Sequence, residues 1–291
     1  MYGIKRVCEV WNICRSTLYN HRKEVKPTQR RGPTGACPDA ELVERIRSVL
    51  KQSFFVGEGY RKVWARLRFE GTKTSKERVR RVMRENNLQS TKRPRKEETH
   101  KVHDGRITTD APDEMWGMDA TSVITREEGT ATIFIAVDHC TQECIGIHAS
   151  KSAKTEQALE PLRQGVKHSF GNYDIKSASG LSIRHDHGSQ YISKKFQAEL
   201  RFLGITSTPS YVREPQCNGV AERFIKMLKE QILHIRYFKT VEDLRQALLK
   251  FKEVYNAGWL VQKHKYQTPQ SSSKFIFNYE KHCVMQSIIL N

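Results

Sequence analysis

The sequence has no disulfide framework, no zinc-ribbon spacing and no membrane-length apolar run. Its seven cysteines are an odd number and include no Cys-x-x-Cys pair, which excludes the usual pattern of small secreted or zinc-ribbon domains. The apolar stretch TIFIAV is only as long as a strand, and the N-terminus shows no signal-peptide pattern. We therefore expect a reduced cytoplasmic protein that does not enter a membrane.

Acidic residues are too few to balance the basic residues that are concentrated in the first third of the chain. Residues 1–110 hold 27 basic and 13 acidic side chains, whereas the remaining 181 hold 23 and 19, and the net charge is +18. Such a balance favours a polyanionic partner, of which nucleic acid is the usual one. The distribution fits a DNA-binding N-terminal region joined to a near-neutral globular domain. The alternative is a soluble protein that is basic but has no polyanionic partner.

Helical periodicity dominates the first 92 residues. Residues 1–34 contain two short helical patterns, the second capped by Ser16 or Thr17, which together suggest a helix-turn-helix; an ordinary helical hairpin is the alternative. Residues 35–92 predict three further helices, the last opening with a capping box of Thr74 and Glu77. Because basic side chains outnumber acidic ones in this segment, we expect contacts with phosphate groups rather than only a solvated charged face. The candidate DNA-binding residues of this domain are Arg61, Lys62, Arg78 and Arg81.

The pattern changes after a linker at residues 93–112. Apolar residues then alternate with period two over three consecutive segments, which predicts an antiparallel meander. A helix, a strand, a helix and a short strand follow, and two long helices are expected at roughly 219–236 and 240–256. This order describes an α/β fold, a mixed five-stranded sheet flanked by helices. We assign residues 113–275 to this domain and 276–291 to a tail.

Three carboxylates stand out by their positions in this order of elements. Asp119 lies in the middle of the first strand, Asp186 ends the fourth, and Glu222 lies one turn into the first long helix. Acids placed together repel each other unless a hard cation neutralises them, and oxygen-only ligands suit Mg²⁺ or Mn²⁺. Two such ions about 4 Å apart activate an attacking hydroxyl and stabilise a leaving oxygen on a phosphodiester. For each acid alone, a structural cap is the alternative.

The helix that carries Glu222 has two distinct faces. At about 100° per residue, Glu222, Lys226 and Lys229 fall on one side, and apolar residues fall on the other. This arrangement sets a candidate metal ligand beside a phosphate-binding strip. A helical salt-bridge ladder is the alternative for the lysines.

Three segments resemble the acidic motifs of a known family. WGMDATSV, IRHDHGSQYIS and CNGVAERFIKMLKE are similar, in order and spacing, to the motifs of retroviral-integrase-like transposases. The chain resembles most the bacterial insertion-sequence transposases that are read from two overlapping frames, as their downstream-frame product. GEGYRKVWARLR and YNAGWLVQKHKYQTPQ resemble that group's helix-turn-helix region and closing segment, so the similarity covers nearly the whole chain.

The resemblance implies a ribonuclease-H-like core that cuts at element ends and joins the freed 3′ hydroxyl to target DNA. Asp119, Asp186 and Glu222 would hold two Mg²⁺ or Mn²⁺ ions. The residues that it implies for DNA contact in the core are His187, Gln190, Asn218, Arg223, Lys226 and Lys229. The floor of the site near Asp186 would be shaped by His187, Gly188, Ser189 and Gln190, and the turn before Glu222 would be set by Asn218 and Gly219. The implied partners are the element's terminal repeats, target DNA, further copies of the chain and an upstream-frame partner or fusion, in a nucleoid-associated, cytoplasmic setting without a membrane.

Two departures from the family keep other functions open. The chain lacks the His-His-Cys-Cys zinc module of retroviral integrases, and its last stretch, SSSKFIFNYEKHCVMQSIILN, does not resemble the usual short end. The alternatives are a catalytically inactive DNA-binding remnant of an insertion element and a nuclease of the same fold that only hydrolyses.

Overall fold

The computed structural model describes residues 3–22, 37–90, 109–209 and 218–273. Most of the predicted linker and the whole predicted tail at 276–291 lie outside these described residues. The chain divides into two units, Met1–Leu42 and Val43–Asn291.

The first unit contains the two short helices expected near the N-terminus. Helix α1 spans Ile4–Val10 and helix α2 spans Arg15–Arg22. Between them Asn12 adopts a left-handed backbone conformation (φ 51°), which asparagine tolerates better than most residues. The predicted capping position is wrong, because α2 already begins at Arg15 and Ser16 and Thr17 therefore lie in its first turn.

Three longer helices follow, as the periodicity predicted. Helix α3 spans Asp39–Gln52, α4 spans Tyr60–Phe69 and α5 spans Lys76–Glu85. Helix α5 buries the apolar residues Val79, Val82 and Met83. Its cap differs from the prediction by one residue, since the Ser75 hydroxyl, rather than that of Thr74, accepts a 3.2 Å hydrogen bond from the Arg78 amide.

The second unit contains the predicted five-stranded mixed sheet. Its strands are β1 (Met115–Thr125), β2 (Gly129–Asp138), β3 (Cys144–Ser150), β4 (Ser182–His185) and β5 (Thr206–Pro209). Their order across the sheet is β3-β2-β1-β4-β5. The pairs β1–β2 and β2–β3 are antiparallel, whereas β1–β4 and β4–β5 are parallel. This is the ribonuclease-H-like arrangement that the sequence predicts, with β1 and β4 as neighbours.

Helices cover both faces of the sheet, and alternation along β2 divides the core between them. Ile133, Ile135 and Val137 pack in a cluster with α9 (Gly219–Leu228) and α10 (Val241–Gly258). Phe134 and Ala136 pack in a second cluster with α6 (Thr155–Phe170) and α8 (Lys194–Leu203). Successive side chains of a strand point to opposite faces, so a central strand buried on both sides must be apolar at every position.

The helix that was expected at about 219–236 is shorter and less regular than predicted. The α-helical part ends at Leu228, and a π-helical turn, Lys229–Leu233, follows it. The remaining short elements are a helical turn α7 (Ser189–Ile192) and a 3-10 turn (Gln262–His264). Isolated π turns commonly occur at functional sites. No helix among the described residues is both long enough and apolar enough to cross a bilayer.

Candidate active site

Asp119 lies near the middle of β1, opposite Ile135 of β2. One of its carboxylate oxygens accepts a 2.7 Å hydrogen bond from the Ala120 amide. The pKa of Asp119 is raised to about 6, chiefly by burial and also by the negative charges of Asp186 and Glu222, against the lowering effect of the Ala120 amide and Lys229. The three predicted acids are therefore close enough to interact electrostatically.

Asp186 follows β4, the strand that runs parallel to β1. Gly117 of β1 pairs with Arg184 of β4, so the two strands carry their acids in the same direction, each two residues beyond this pair. Asp186 is exposed, and its Oδ1 accepts a 3.0 Å hydrogen bond from the Gly188 amide. The loop thus fixes the carboxylate without withdrawing it from solvent.

Glu222 lies in the first turn of α9, on the helix face that points away from the core. Its side chain is exposed at the surface, although partial burial raises its pKa above the usual range. Phe224 and Leu228 of the same helix are buried, which holds the acid in place. The predicted division of this helix into a core face and a charged face is correct.

An open groove of about 400 Å³ brings several of the predicted residues together. Asp119 and Glu222 line it with Lys226, Lys229 and His234. Asp186 is not part of its lining and lies at the end of the neighbouring strand. Glu230 lines the groove as well. The groove therefore combines three acids with two cationic side chains, a composition suited to a phosphodiester and a positive ion.

The donors around this groove fit a hard cation by their chemistry. All three acids offer carboxylate oxygens, the ligands that Mg²⁺ and Mn²⁺ prefer. After burial, the charges of Asp186 and Glu222 contribute to the raised pKa of Asp119, and positive charge between the acids relieves this repulsion. Within the part of the chain that the structure describes, no three His, Cys, Asp or Glu side chains are already arranged to hold a metal ion, so binding requires these carboxylates to turn toward one another.

Asn218 connects the start of α9 to β1. Its Nδ2 donates a 2.8 Å hydrogen bond to the carbonyl of Met118, the residue before Asp119. A Cβ atom at Gly117 would lie 2.5 Å from Asn218 Oδ1 and 3.0 Å from His139 Nε2, so only glycine allows this approach. Because Asn218 is 5% exposed, the expectation that it contacts DNA is wrong, and it instead positions Glu222.

Gly117 and His139 were not predicted from the sequence. Burial, followed by the positive charge of Arg184, lowers the pKa of His139 to about 4, so this ring is neutral beneath the site. The only sequence signal was the glycine two residues before Asp119 in an otherwise continuous strand, since such a glycine often marks a close backbone approach.

Family models match three segments of the chain. Residues 38–96 match the HTH-like domain, and residues 109–215 and 203–269 match two models of the integrase core domain. The transposase InsD of insertion element IS2A/D/F/H/I/K from Escherichia coli is 27% identical over 240 residues, which cover 80% of this chain and 78% of the relative. The chain is an insertion-sequence transposase with an integrase core. The transposase InsD of IS2-9 from E. coli strain K12 has the same identity, with 80% and 77% of the two chains covered.

The transposase is also similar to chains of solved retroviral structures. One is the simian T-cell lymphotropic virus intasome in complex with PP2A regulatory subunit B56 gamma, with a TM-score of 0.48, 16% identity and coverage of 81% of this chain and 74% of that one. Another is the HTLV-2 integrase catalytic core domain in complex with magnesium, with a TM-score of 0.42, 16% identity and coverage of 56% and 97%.

The remaining candidate DNA-contacting residues of the transposase core lie at its surface. Arg223 and Lys226 are exposed on α9, and Lys229 is half-buried in the groove. His187 is exposed next to Asp186, whereas Gln190 lines a neighbouring cavity with Lys154 and Lys195. Each of these side chains is at least partly exposed to solvent.

The candidates in the HTH-like region differ in their accessibility. Arg61 is exposed, and Arg78 and Arg81 are half-buried, with Arg81 paired to Glu85 at 2.8 Å. Lys62 does not fit the prediction, because its buried Nζ lies 2.7 Å from the centroid of the Trp259 ring. Burial lowers the pKa of Lys62 to about 7, although Glu58 opposes this effect. Lys62 is thus a packing residue.

Proposed function

We propose that this transposase is a divalent-metal-dependent polynucleotidyl transferase that cuts DNA at the ends of its insertion element and joins the freed 3′ hydroxyl to target DNA. Asp119, Asp186 and Glu222 are the proposed metal ligands and catalytic residues. The observation that carries the proposal is the common groove of Asp119 and Glu222 with Lys226 and Lys229, next to the strand end that bears Asp186.

The electrostatics of the groove support this assignment of roles. After burial, the negative charges of Asp186 and Glu222 contribute to the raised pKa of Asp119, and a hard cation would remove that penalty. When bound, one or two Mg²⁺ or Mn²⁺ ions supply activation of the attacking hydroxyl and stabilisation of the leaving oxygen. Lys226 and Lys229 bind the phosphate groups that flank the reacting one, because they line the same groove.

The proposed substrate contacts extend beyond the groove. Arg223, His187 and Gln190 contact DNA in the core, and the HTH-like region contributes Arg61, Arg78 and Arg81. The excess of basic side chains in residues 1–110 supports DNA binding by this region, since phosphate contacts dominate affinity. Joining two element ends requires at least two copies of the chain in the complex, with the upstream-frame product as a further proposed partner or fusion.

A strand-transfer assay on labelled element-end DNA with Mg²⁺ tests the proposal. Asp186→Asn is the key variant, and Asp174→Asn is its matched control because Asp174 is also exposed and does not line the groove. We expect joined products from wild type and from Asp174→Asn, none from Asp186→Asn, and equal gel shifts with all three.

Two outcomes would contradict the proposal in different ways. DNA binding by every protein with chemistry by none would identify a DNA-binding remnant. Cut ends that are released and never joined would identify a nuclease that only hydrolyses.

A further inference from the structure

A second pocket, of about 580 Å³, lies between α4 and the turn at residues 262–266. It shares no lining residue with the groove that contains Asp119 and Glu222. Its volume is within the range of roughly 300–1,000 Å³ that is typical of ligand sites. Aromatic and cationic side chains dominate its lining, namely Trp64, Phe69, Tyr266, Arg68, Lys76 and Lys265.

The aromatic part of the pocket is rigid on one side and open on the other. Trp64 is held by a 2.9 Å hydrogen bond from its Nε1 to the Thr74 carbonyl, and Tyr266 packs edge-on against it with centroids 5.8 Å apart. Phe69, the last residue of α4, is 64% exposed. A ring left in water beside a cavity offers its free face to a flat ligand.

The cationic part of the pocket selects for negative charge. Lys76 Nζ lies 4.5 Å from the Trp64 ring centroid, and the Arg68 guanidinium lies 5.5 Å from it. Lys265 is exposed on the opposite wall. The described residues that line the pocket include no acid. The ligand that fits is therefore both flat and anionic.

The turn that forms one wall adopts an unusual backbone conformation. Lys265 and Tyr266 are consecutive non-glycine residues with positive φ values of 55° and 67°, a combination that costs free energy and persists where the surroundings enforce it. Here the enforcing contacts are hydrogen bonds from the Val261 amide to the Gln267 carbonyl (3.0 Å) and from the Tyr266 amide to the Val261 carbonyl (2.9 Å). The strain directs both residues toward the pocket.

We propose that this pocket binds an unstacked nucleotide of single-stranded DNA. Lys76, Lys265 and Arg68 hold its phosphate, and Phe69 stacks on its base. A duplex keeps its bases stacked on each other and cannot present a base face to Phe69. An acidic peptide has no flat ring that could stack on Phe69. The inference goes beyond the three-acid site and rests on the proposed function only in that DNA is the substrate.

Fluorescence anisotropy with the full-length protein tests this inference. The two probes are a labelled ten-nucleotide oligothymidylate and a labelled blunt hairpin duplex that carries the element end. We expect Phe69→Ala to weaken oligothymidylate binding by about tenfold, the effect of losing one base–aromatic stack, and to change duplex binding by less than about twofold. Phe54→Ala is the matched control, because Phe54 is 82% exposed and does not line the pocket.

A second pair of variants tests the charge. Lys76→Ala should weaken oligothymidylate binding severalfold more than Lys73→Ala, which removes an exposed lysine that does not line the pocket. Equal effects of Phe69→Ala and Phe54→Ala, equal weakening of both probes, or competition by polyglutamate as strong as by unlabelled oligothymidylate would each overturn the inference. If one of these results occurs while strand transfer still depends on Asp186, the pocket inference fails and the proposed function is unaffected. If strand transfer is absent but the oligothymidylate results are as expected, the proposed function fails and the pocket inference is unaffected.

Discussion

The side-chain amide of Asn218 donates a 2.8 Å hydrogen bond to the main-chain carbonyl of Met118. Met118 precedes Asp119, and Asn218 lies one turn before Glu222, so this single bond sets the relative position of two proposed metal ligands. Gly117 lies against the same amide group. The geometry of the site therefore depends on a glycine and an asparagine that carry no catalytic chemistry.

Gly117→Ala should disrupt the site without removing a ligand. Its added Cβ would lie 2.5 Å from Asn218 Oδ1, which forces the start of α9 away from β1. We expect strand transfer to fall at least about tenfold, equivalent to about 1.4 kcal/mol of transition-state stabilisation, with duplex binding retained in a gel shift. Gly219→Ala is the control, since a Cβ there meets no atom within 4 Å; equal activity of the two variants would contradict this account.

A buried ion pair should make a large contribution to stability at the base of α4. Arg66 Nε contacts Glu58 Oε2 at 2.7 Å, the Glu58 side chain is 1% exposed, and Arg66 also donates to the Gly258 carbonyl. Glu58→Gln leaves the Arg66 charge uncompensated and should lower the free energy of unfolding by about 3 kcal/mol. The control Glu77→Gln removes a surface pair with Arg80 and should change it by less than about 1 kcal/mol. Urea unfolding measures both, and similar small losses would refute the prediction.

Lys62 should make the stability of the protein depend on pH. Burial lowers its pKa from the usual 10.5 to about 7 in the folded state, so the unfolded chain binds more protons between these two pH values. The free-energy cost of burying Lys62 is therefore complete below pH 7 and disappears as the pH rises toward 10.5.

Replacing this lysine tests the sign of that effect. Lys62→Met should raise the free energy of unfolding at pH 6 by about 2 kcal/mol and by less at pH 9, because the Trp259 ring attracts the ammonium and offsets part of the cost. Urea titrations of this variant and of Lys73→Met, which changes an exposed lysine, give the comparison. If the increase in the free energy of unfolding caused by Lys62→Met were larger at pH 9 than at pH 6, the result would contradict a buried amine.

Gln231 should hold the loop that precedes α4 against the π-helical turn. Its side chain accepts a 2.8 Å hydrogen bond from the Val56 amide and donates a 3.0 Å bond to the Val56 carbonyl. Gln231→Ala should speed hydrogen exchange of the Val56 amide about thirtyfold, since the two lost bonds contribute about 1 kcal/mol each. Gln246→Ala, which removes a hydrogen bond to Glu242 within α10, should leave that amide unchanged. Slow exchange in both variants would show that other contacts hold the loop.

The sequence predicted the sheet and the three acids because their signals are local or fixed by the topology. The alternation along β2 is a property of the strand itself, and the convergence of Asp119 and Asp186 follows once β1 and β4 are neighbours. The burial of Lys62, the contact of Asn218 with β1 and the turn at Lys229–Leu233 could not be predicted in this way. Lys62 is buried by Trp259, nearly two hundred positions away in the sequence, and Asn218 by β1, so their roles depend on tertiary contacts that helix periodicity does not encode.

Binding of Mn²⁺ followed by electron paramagnetic resonance tests the central claim most directly. The proteins are wild type and the single variants Asp119→Asn, Asp186→Asn and Glu222→Gln, with Asp174→Asn as the control. We predict saturable binding at pH 7.5 to wild type and the control, and its loss in each of the three variants. For wild type, affinity should fall about tenfold per unit below pH 6, because the pKa of Asp119 is raised to about 6 and only its ionised form binds a cation. If all three variants bound Mn²⁺ with the affinity of the wild type, the assignment of these acids as metal ligands would be contradicted.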